Sequence, residues 1–378
     1  MNLRDGIISV DDHVQEHPAV WTSRLSKQKF GERMPHVETE ADGSERWVID
    51  GAPLSLTGVA SCGALMSDRT SEPQRWEAVP AEGYQPAARL RAMDADGVAV
   101  SVLYPTVAGL AGEVFGRIAD TELELACVQA YNDWLIDEWA AASPRFIPHC
   151  LVPLASIEAT VAEIRRAVGR GHRGVVFPSV PMELRDGPHI NGPEYDPVWS
   201  TCEELEVPIC FHAGASAATQ IPVYEGWSPA IAEAFRAITR PASSTAIVVN
   251  FLISRVLVRH PALRVVFSES SLGWGACLLE FTDHQAEEDG LAREGFELRP
   301  SEMFQRQCYL TGWYDRAAIQ TRRFIGTENI LWSTNFPLAT STWPNSRAVV
   351  EQCFADVPDE ERRLMLHGNA ARLYHIQS

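Results

Sequence analysis

The chain has 378 residues, 46% of them hydrophobic, and a formal net charge of −18. Its basic residues are dispersed, so no basic stripe is available to meet phosphates; nucleic acid is excluded as a partner and anionic membranes are disfavoured. The opening MNLRDGIISVDDH lacks a secretory apolar stretch, no run of about 18 apolar residues could span a membrane, and eight scattered cysteines with no CxxC pair fit buried thiols in a reducing cytoplasm.

Strand-like apolar runs alternate with helical patterns along the chain. In order, the predicted strands are 6–10, 98–104, 146–152, 174–177, 207–211, 263–267, 307–310 and 329–332. Apolar residues at helical spacing predict helices over 120–142, 157–168 and 198–205. Such alternation implies crossover connections and a parallel sheet. Eight units favour a closed α/β architecture, a distorted (β/α)8 TIM barrel forming one domain over 1–378. Residues from about 20 to 88 are rich in Pro, Gly, Ser and charge, and read as a long insertion after the first strand, a lid or dimer arm. Residues 213–229 read as a second long loop.

Barrel enzymes place their chemistry at the carboxyl ends of the strands. The first predicted strand is followed by Asp11-Asp12-His13-Val14-Gln15-Glu16-His17, the fifth by His212, the sixth by Ser268-Glu269-Ser270, and the last by Ser333-Thr334-Asn335. Asp11 and His13 are two apart, so in extended backbone they share a face and can serve one ion. Taken singly, each has a plain structural reading: His212 as a hydrogen-bonded core histidine, Glu269 as the partner of an arginine. Their joint placement at strand ends favours metal binding. His149 reads equally well as core. His36, His189, His260 and His375 read as surface or structural residues, Trp274 and Trp343 as packing. His284 is a candidate that would reach the site from a helix start, and Tyr104 ends the second strand.

These residues carry a resemblance. The chain resembles the amidohydrolase-related family that includes aminocarboxymuconate-semialdehyde decarboxylase and γ-resorcylate decarboxylase, over roughly Ile7 to Ile376. The match rests on Asp11–Glu16, on Arg91-Ala92-Met93-Asp94-Ala95-Asp96-Gly97-Val98 and on Tyr131-Asn132-Asp133-Trp134. It continues through Tyr195-Asp196-Pro197-Val198-Trp199, His212-Ala213-Gly214, Glu269-Ser270 with Gly273-Trp274, Trp343-Pro344-Asn345-Ser346 and Gly368–Tyr374. The resemblance implies one or two divalent metals, with Asp11 and His13 as the first-strand ligands and His212 as the fifth-strand histidine. Glu269 stands at the sixth-strand position, where many members have histidine. In the last strand loop relatives usually read Ser-Asp-Tyr-Pro-His, whereas this chain reads Thr334-Asn335-Phe336-Pro337-Leu338. An amide cannot take a proton at neutral pH, which counts against ordinary hydrolysis and also against proton-assisted decarboxylation.

The candidate donors Asp11, His13, Glu16, His212 and Glu269 are three carboxylates and two imidazoles, a set that suits iron or manganese as well as zinc. The favoured expectation is a nonheme iron or iron–manganese oxygenase, hydroxylating a small carboxylate, amino acid or acyl substrate. In it Glu16 helps hold a second ion, Glu269 and Asn335 are the catalytic residues, and Asn335 donates a hydrogen bond to an oxygen at the metal. Trp274, His284 and Tyr104 are the expected substrate contacts. Two alternatives stand beside it: a zinc or manganese decarboxylase or hydrolase of a small carboxylic acid, and a degenerate metal-binding subunit supporting an active partner. A homo-oligomer, or a hetero-oligomer with a related subunit, is expected.

Overall fold

The structure is a computed structural model, described here for residues 6–56, 58–69, 71–215 and 223–377. Eight parallel strands form its centre: β1 (Ile7–His13), β2 (Val98–Tyr104), β3 (Phe146–Pro148), β4 (Val175–Val176), β5 (Ile209–His212), β6 (Val265–Ser268), β7 (Cys308–Gly312) and β8 (Ile330–Trp332). β1, β2 and β3 pair in order, as do β4 through β8. A single bridge, Cys150 to Val175, joins the two runs. The ring closes between β8 and β1 mostly through side chains. Thr334 N donates to Ser9 Oγ at 2.8 Å, Thr334 Oγ1 to Asp12 Oδ1 at 2.8 Å, and His13 N to Phe336 O at 2.6 Å. The fold is thus the expected α/β TIM barrel, distorted where β3, β4 and β8 are short.

The strands are buried on both faces because helices cover the outside and side chains fill the inside. Phe211, Phe267, Phe251 and Trp199 pack together between the sheet and its helices. Local signals set the helix ends. Asp120 caps Thr121–Trp134 by accepting from Glu122 N and Leu123 N, and Ser156 caps Ile157–Arg170 through Ala159 N. Gly171 ends the second of these with φ +119°, a conformation that favours glycine.

The predicted strands all exist; β1, β5, β6 and β7 end further toward the C-terminus than predicted, whereas β3 and β4 end earlier. β1 runs through His13 and β5 through His212, so the polar residues expected after these strands lie inside them. The reason is that the barrel mouth keeps polar side chains buried and paired, so the ladder continues past the last apolar residue. The helix expected over 120–142 becomes regular helix to Trp134 and a wider turn over Leu135–Ala140.

The insertion is built from short helices at Ala19–Thr22, Lys27–Phe30 and Ala81–Tyr84 and an antiparallel ribbon of His36–Thr39, Glu45–Ile49 and Ala52–Pro53. It crosses the mouth. Ser61 exchanges two hydrogen bonds with the Gln15 amide, and Ala64 N donates to Pro337 O. Arg69 donates to the carbonyls of Ala339, Ser341 and Trp343. Of the second loop, residues 216–222 lie outside the described residues. No helix among the described residues is long and apolar enough to cross a membrane.

Candidate metal centre

β1 supplies Asp11 and His13 on one face, as their spacing requires, and β5 supplies His212. Their donor atoms lie within 4.8 Å of one another, the one such cluster of metal-ligating side chains among the described residues. His13 Nε2 and His212 Nε2 are 3.2 Å apart, and stand 3.5 and 3.3 Å from Asp11 Oδ1. Each imidazole is oriented by its other nitrogen: His13 Nδ1 is 2.9 Å from Pro105 O, and His212 Nδ1 is 2.7 Å from Ala213 O. With Nδ1 as the donor, Nε2 presents a lone pair to the cluster. All three side chains are fully buried, and neither oxygen of Asp11 has a hydrogen-bond partner. A buried carboxylate without partners is costly, so these donors fit a divalent cation.

The charges of the cluster compensate one another, and an ion bound there would displace the proton of His212. Burial pushes the Asp11 carboxyl up, but His212 and His13 outweigh burial and hold it below its ordinary value. Burial pulls His13 down to about 4. It also pulls on His212, but Asp11 and Glu269 overcome it and raise that imidazole to about 9.

Glu16 is not brought into the cluster. Its oxygens accept from Thr106 N at 3.0 Å and Val107 N at 2.9 Å, so it fastens the loop after β2. Burial raises its carboxyl to about 7. Glu269 also lies outside the three-residue cluster, with Oε2 3.8 Å from His212 Nδ1, the side of the ring away from the converging Nε2 atoms. It forms an ion pair instead: Arg240 Nη1 sits 3.2 and 3.3 Å from its two oxygens. Asn335 Nδ2 donates to Glu269 Oε1 at 3.0 Å and to Thr340 Oγ1 at 2.8 Å. Both amide protons are thereby used, so the expected donation from Asn335 to an oxygen at the metal has no proton left to make it. Its buried Oδ1 is unpartnered.

Tyr104 packs beneath the histidines, its ring centroid 6.0 Å from His13 and 5.5 Å from His212. Its hydroxyl pairs with Ser268 Oγ at 2.6 Å. Trp274 Nε1 donates to Ser270 O, which ties the turn after β6. His284 is exposed in the third turn of the helix Gly275–Glu288, not at its start, and has no place at the cluster. His149 is wholly buried beside Tyr104.

Sequence reasoning missed two residues. Arg240 comes 28 positions after His212 with no motif around it. Asp12 was legible by parity: between two inward residues it turns away, and it accepts from Ser9, Ser101, Thr334 and Phe336 N.

A family model described as amidohydrolase matches residues 52–376. The chain belongs to the amidohydrolase family. This amidohydrolase is similar to a γ-resorcylate decarboxylase of Rhizobium sp. strain MTP-10005, 24% identical over 277 residues that cover 70% of this chain and 81% of the relative. In fold it is similar to an amidohydrolase from Mycobacterium avium subsp. paratuberculosis K-10, with a TM-score of 0.78 and 21% identity over 99% of this chain and 100% of that one. It is also similar to a dihydroxybenzoic acid decarboxylase from Polaromonas sp. JS666 solved with bound manganese and 2-nitroresorcinol, with a TM-score of 0.61 and 16% identity over 98% and 97% of the chains. These relatives give the expected oxygenase subgroup no support. The amidohydrolase assignment makes the chain a metal-dependent enzyme.

Proposed function

We propose that this amidohydrolase is a non-oxidative decarboxylase of a small aromatic carboxylic acid, working with a divalent metal at Asp11, His13 and His212. One observation carries the proposal: a buried cluster of three donors, the one such cluster among the described residues, beside a carboxylate–amide pair, Glu269 and Asn335, in a chain whose similar proteins include decarboxylases. An iron–manganese oxygenase needs donors for a second ion, and Glu16 is committed to backbone amides.

Decarboxylation breaks the ring-to-carboxyl bond, leaves its electron pair on the ring carbon, and replaces carbon dioxide there by a proton. A divalent ion at the cluster would supply Lewis-acid polarisation of a substrate oxygen. The chain's own residues do the rest. Tyr104 closes the floor under the substrate, and burial excludes water that would screen the site. Glu269 is the ionisable side chain placed to hold the proton at Oε2, while Asn335 fixes Oε1 and cannot itself titrate. The free Oδ1 of Asn335 is an acceptor for a substrate hydroxyl.

The test is incubation of manganese-loaded protein with 2,6-dihydroxybenzoate and its hydroxybenzoate isomers, with and without oxygen. Carbon dioxide released one-to-one with the phenol, independent of oxygen, is expected. Oxygen consumption coupled to product would overturn the proposal in favour of the oxygenase. A second reading, a metal-binding subunit without activity of its own, is motivated by Asn335 and Leu338. Turnover by the purified chain alone disposes of it.

A further inference from the structure

Arg89 is a buried cation whose hydrogen bonds among the described residues all go to carbonyls. It stands in the first turn of the helix Pro86–Asp96, where the insertion ends, and is 1% exposed. Nε donates to Glu82 O at 2.8 Å, and Nη2 to His13 O at 2.7 Å and Gly83 O at 3.3 Å. Nη1 is buried without a partner. Asp12 is near enough to act on this charge, but its oxygens accept from Ser9, Ser101, Thr334 and Phe336 N instead. Burial pulls the guanidinium down to about 10, so it stays protonated at neutral pH. A buried cation is costly, and an ion pair is what commonly offsets it. None does so here, so stability alone does not account for an arginine at this position.

Its contacts do account for it. His13 belongs to the metal cluster, whereas Glu82 and Gly83 lie in the last short helix of the insertion, Ala81–Tyr84. Gly83 O also accepts from Gln15 N at 3.0 Å, and the Gln15 amide holds Ser61 of the cover. The guanidinium carbon lies 4.4 Å from the centroid of the Phe336 ring. Phe336 follows Asn335, and its carbonyl accepts from His13 N. One planar fork thereby joins the cover, the end of β1 and the loop after β8. A point charge on a flexible stem would not hold those three in one geometry.

We infer that Arg89 is a positioning residue that couples the seating of the insertion over the mouth to the placement of His13 and of the Asn335–Phe336 turn, so that the metal-binding geometry depends on a closed cover. This rests on the metal at Asp11, His13 and His212 that the proposed function uses, and is independent of the reaction catalysed.

The experiment measures manganese affinity by calorimetry, and the visible spectrum of the cobalt-loaded protein, for the full chain and its Arg69→Ala, Arg89→Met and doubly substituted forms. Arg89→Met should weaken manganese binding by about 10- to 100-fold, as for loss of a group that orients a metal ligand, and should change the cobalt spectrum. Arg69→Ala, which releases the cover from the loop after β8, should weaken binding several-fold alone and add nothing in the Arg89→Met background. A merely structural role predicts additive losses and an unchanged cobalt spectrum. Arg89→Lys keeps the charge without the fork and should fall between; it carries the same comparison if Arg89→Met fails to fold. Affinity within about twofold of wild type in Arg89→Met, or additive losses in the double variant, overturns the inference. The readings fail separately. Wild-type protein that binds no manganese sinks the metal centre, and this inference with it. Carbon dioxide release with an affinity untouched by Arg89→Met sinks only the role of Arg89. Absence of release from any acid, with the affinity lost in Arg89→Met, sinks only the decarboxylase.

Discussion

Asn335 and Glu269 face each other across the mouth at 3.0 Å, and both hold positive φ, 54° and 50°. Non-glycine residues in this region are uncommon, and a glutamate there is held by its surroundings. The ends of β6 and β8 are bent so that an amide meets a carboxylate. Converting the amide to an acid, Asn335→Asp, puts two carboxylates in contact. They would share a proton, and the acid limb of the pH–rate profile should move upward by at least about one unit. An unchanged profile would show that the pair takes no part in proton handling.

Glu269→Gln keeps the shape and replaces one carboxylate oxygen by an amide nitrogen. Turnover should fall by about 100- to 10,000-fold, as for loss of a general acid or base. Manganese content should stay at the wild-type value, because Glu269 stands outside the cluster. A parallel loss of metal would make it a ligand instead.

Metal analysis separates the three cluster residues from the other expected donors. Wild-type protein should retain about one divalent ion per chain after desalting, as a single three-ligand site implies. Asp11→Asn and His212→Ala should lose it. Glu16→Gln should keep it, since both Glu16 oxygens serve backbone amides. Two ions per wild-type chain would contradict this.

Glu16 also predicts a pH dependence of stability. Burial raises its carboxyl from 4.5 to about 7 in the fold. Between those values the folded protein holds a proton that the unfolded chain releases, so raising the pH through this window lowers stability, by on the order of 3 kcal/mol once ionised. In thermal melts from pH 4.5 to 7.5, Glu16→Gln should show a shallower decline than wild type, whatever its absolute Tm. Parallel declines would exclude Glu16 as the source.

Arg69 ties the insertion to the last strand loop through three carbonyls. Arg69→Ala should leave the barrel folded while loosening the cover over the mouth. Limited proteolysis should then cut within 58–72 several-fold faster, and KM should rise more than kcat falls. Wild-type cutting rates would mean that the Gln15–Ser61 and Ala64–Pro337 contacts suffice.

The alternation of apolar runs with helical patterns was enough to read the barrel, because strand and helix periodicities are local. The same locality made Asp11 and His13 legible as a pair. It also explains the misplaced strand ends: an apolar run stops at the first polar residue, but β1 and β5 carry theirs inside the ladder. Glu16 and Glu269 illustrate the opposite case. Nothing near Glu16 in sequence shows that Thr106 and Val107 will meet it, and nothing near Glu269 points to Arg240 or Asn335.

By itself, then, the sequence determined the architecture and which residue types reach the mouth, since both follow from spacing along one chain segment. The tertiary structure alone decided what each carboxylate does there. Asp11 is left without a hydrogen bond and faces two imidazoles, Glu16 is consumed by amides, and Glu269 is shared between a guanidinium and an amide. The role of a buried charge is set by the partners that desolvation forces upon it, and those partners come from distant parts of the chain.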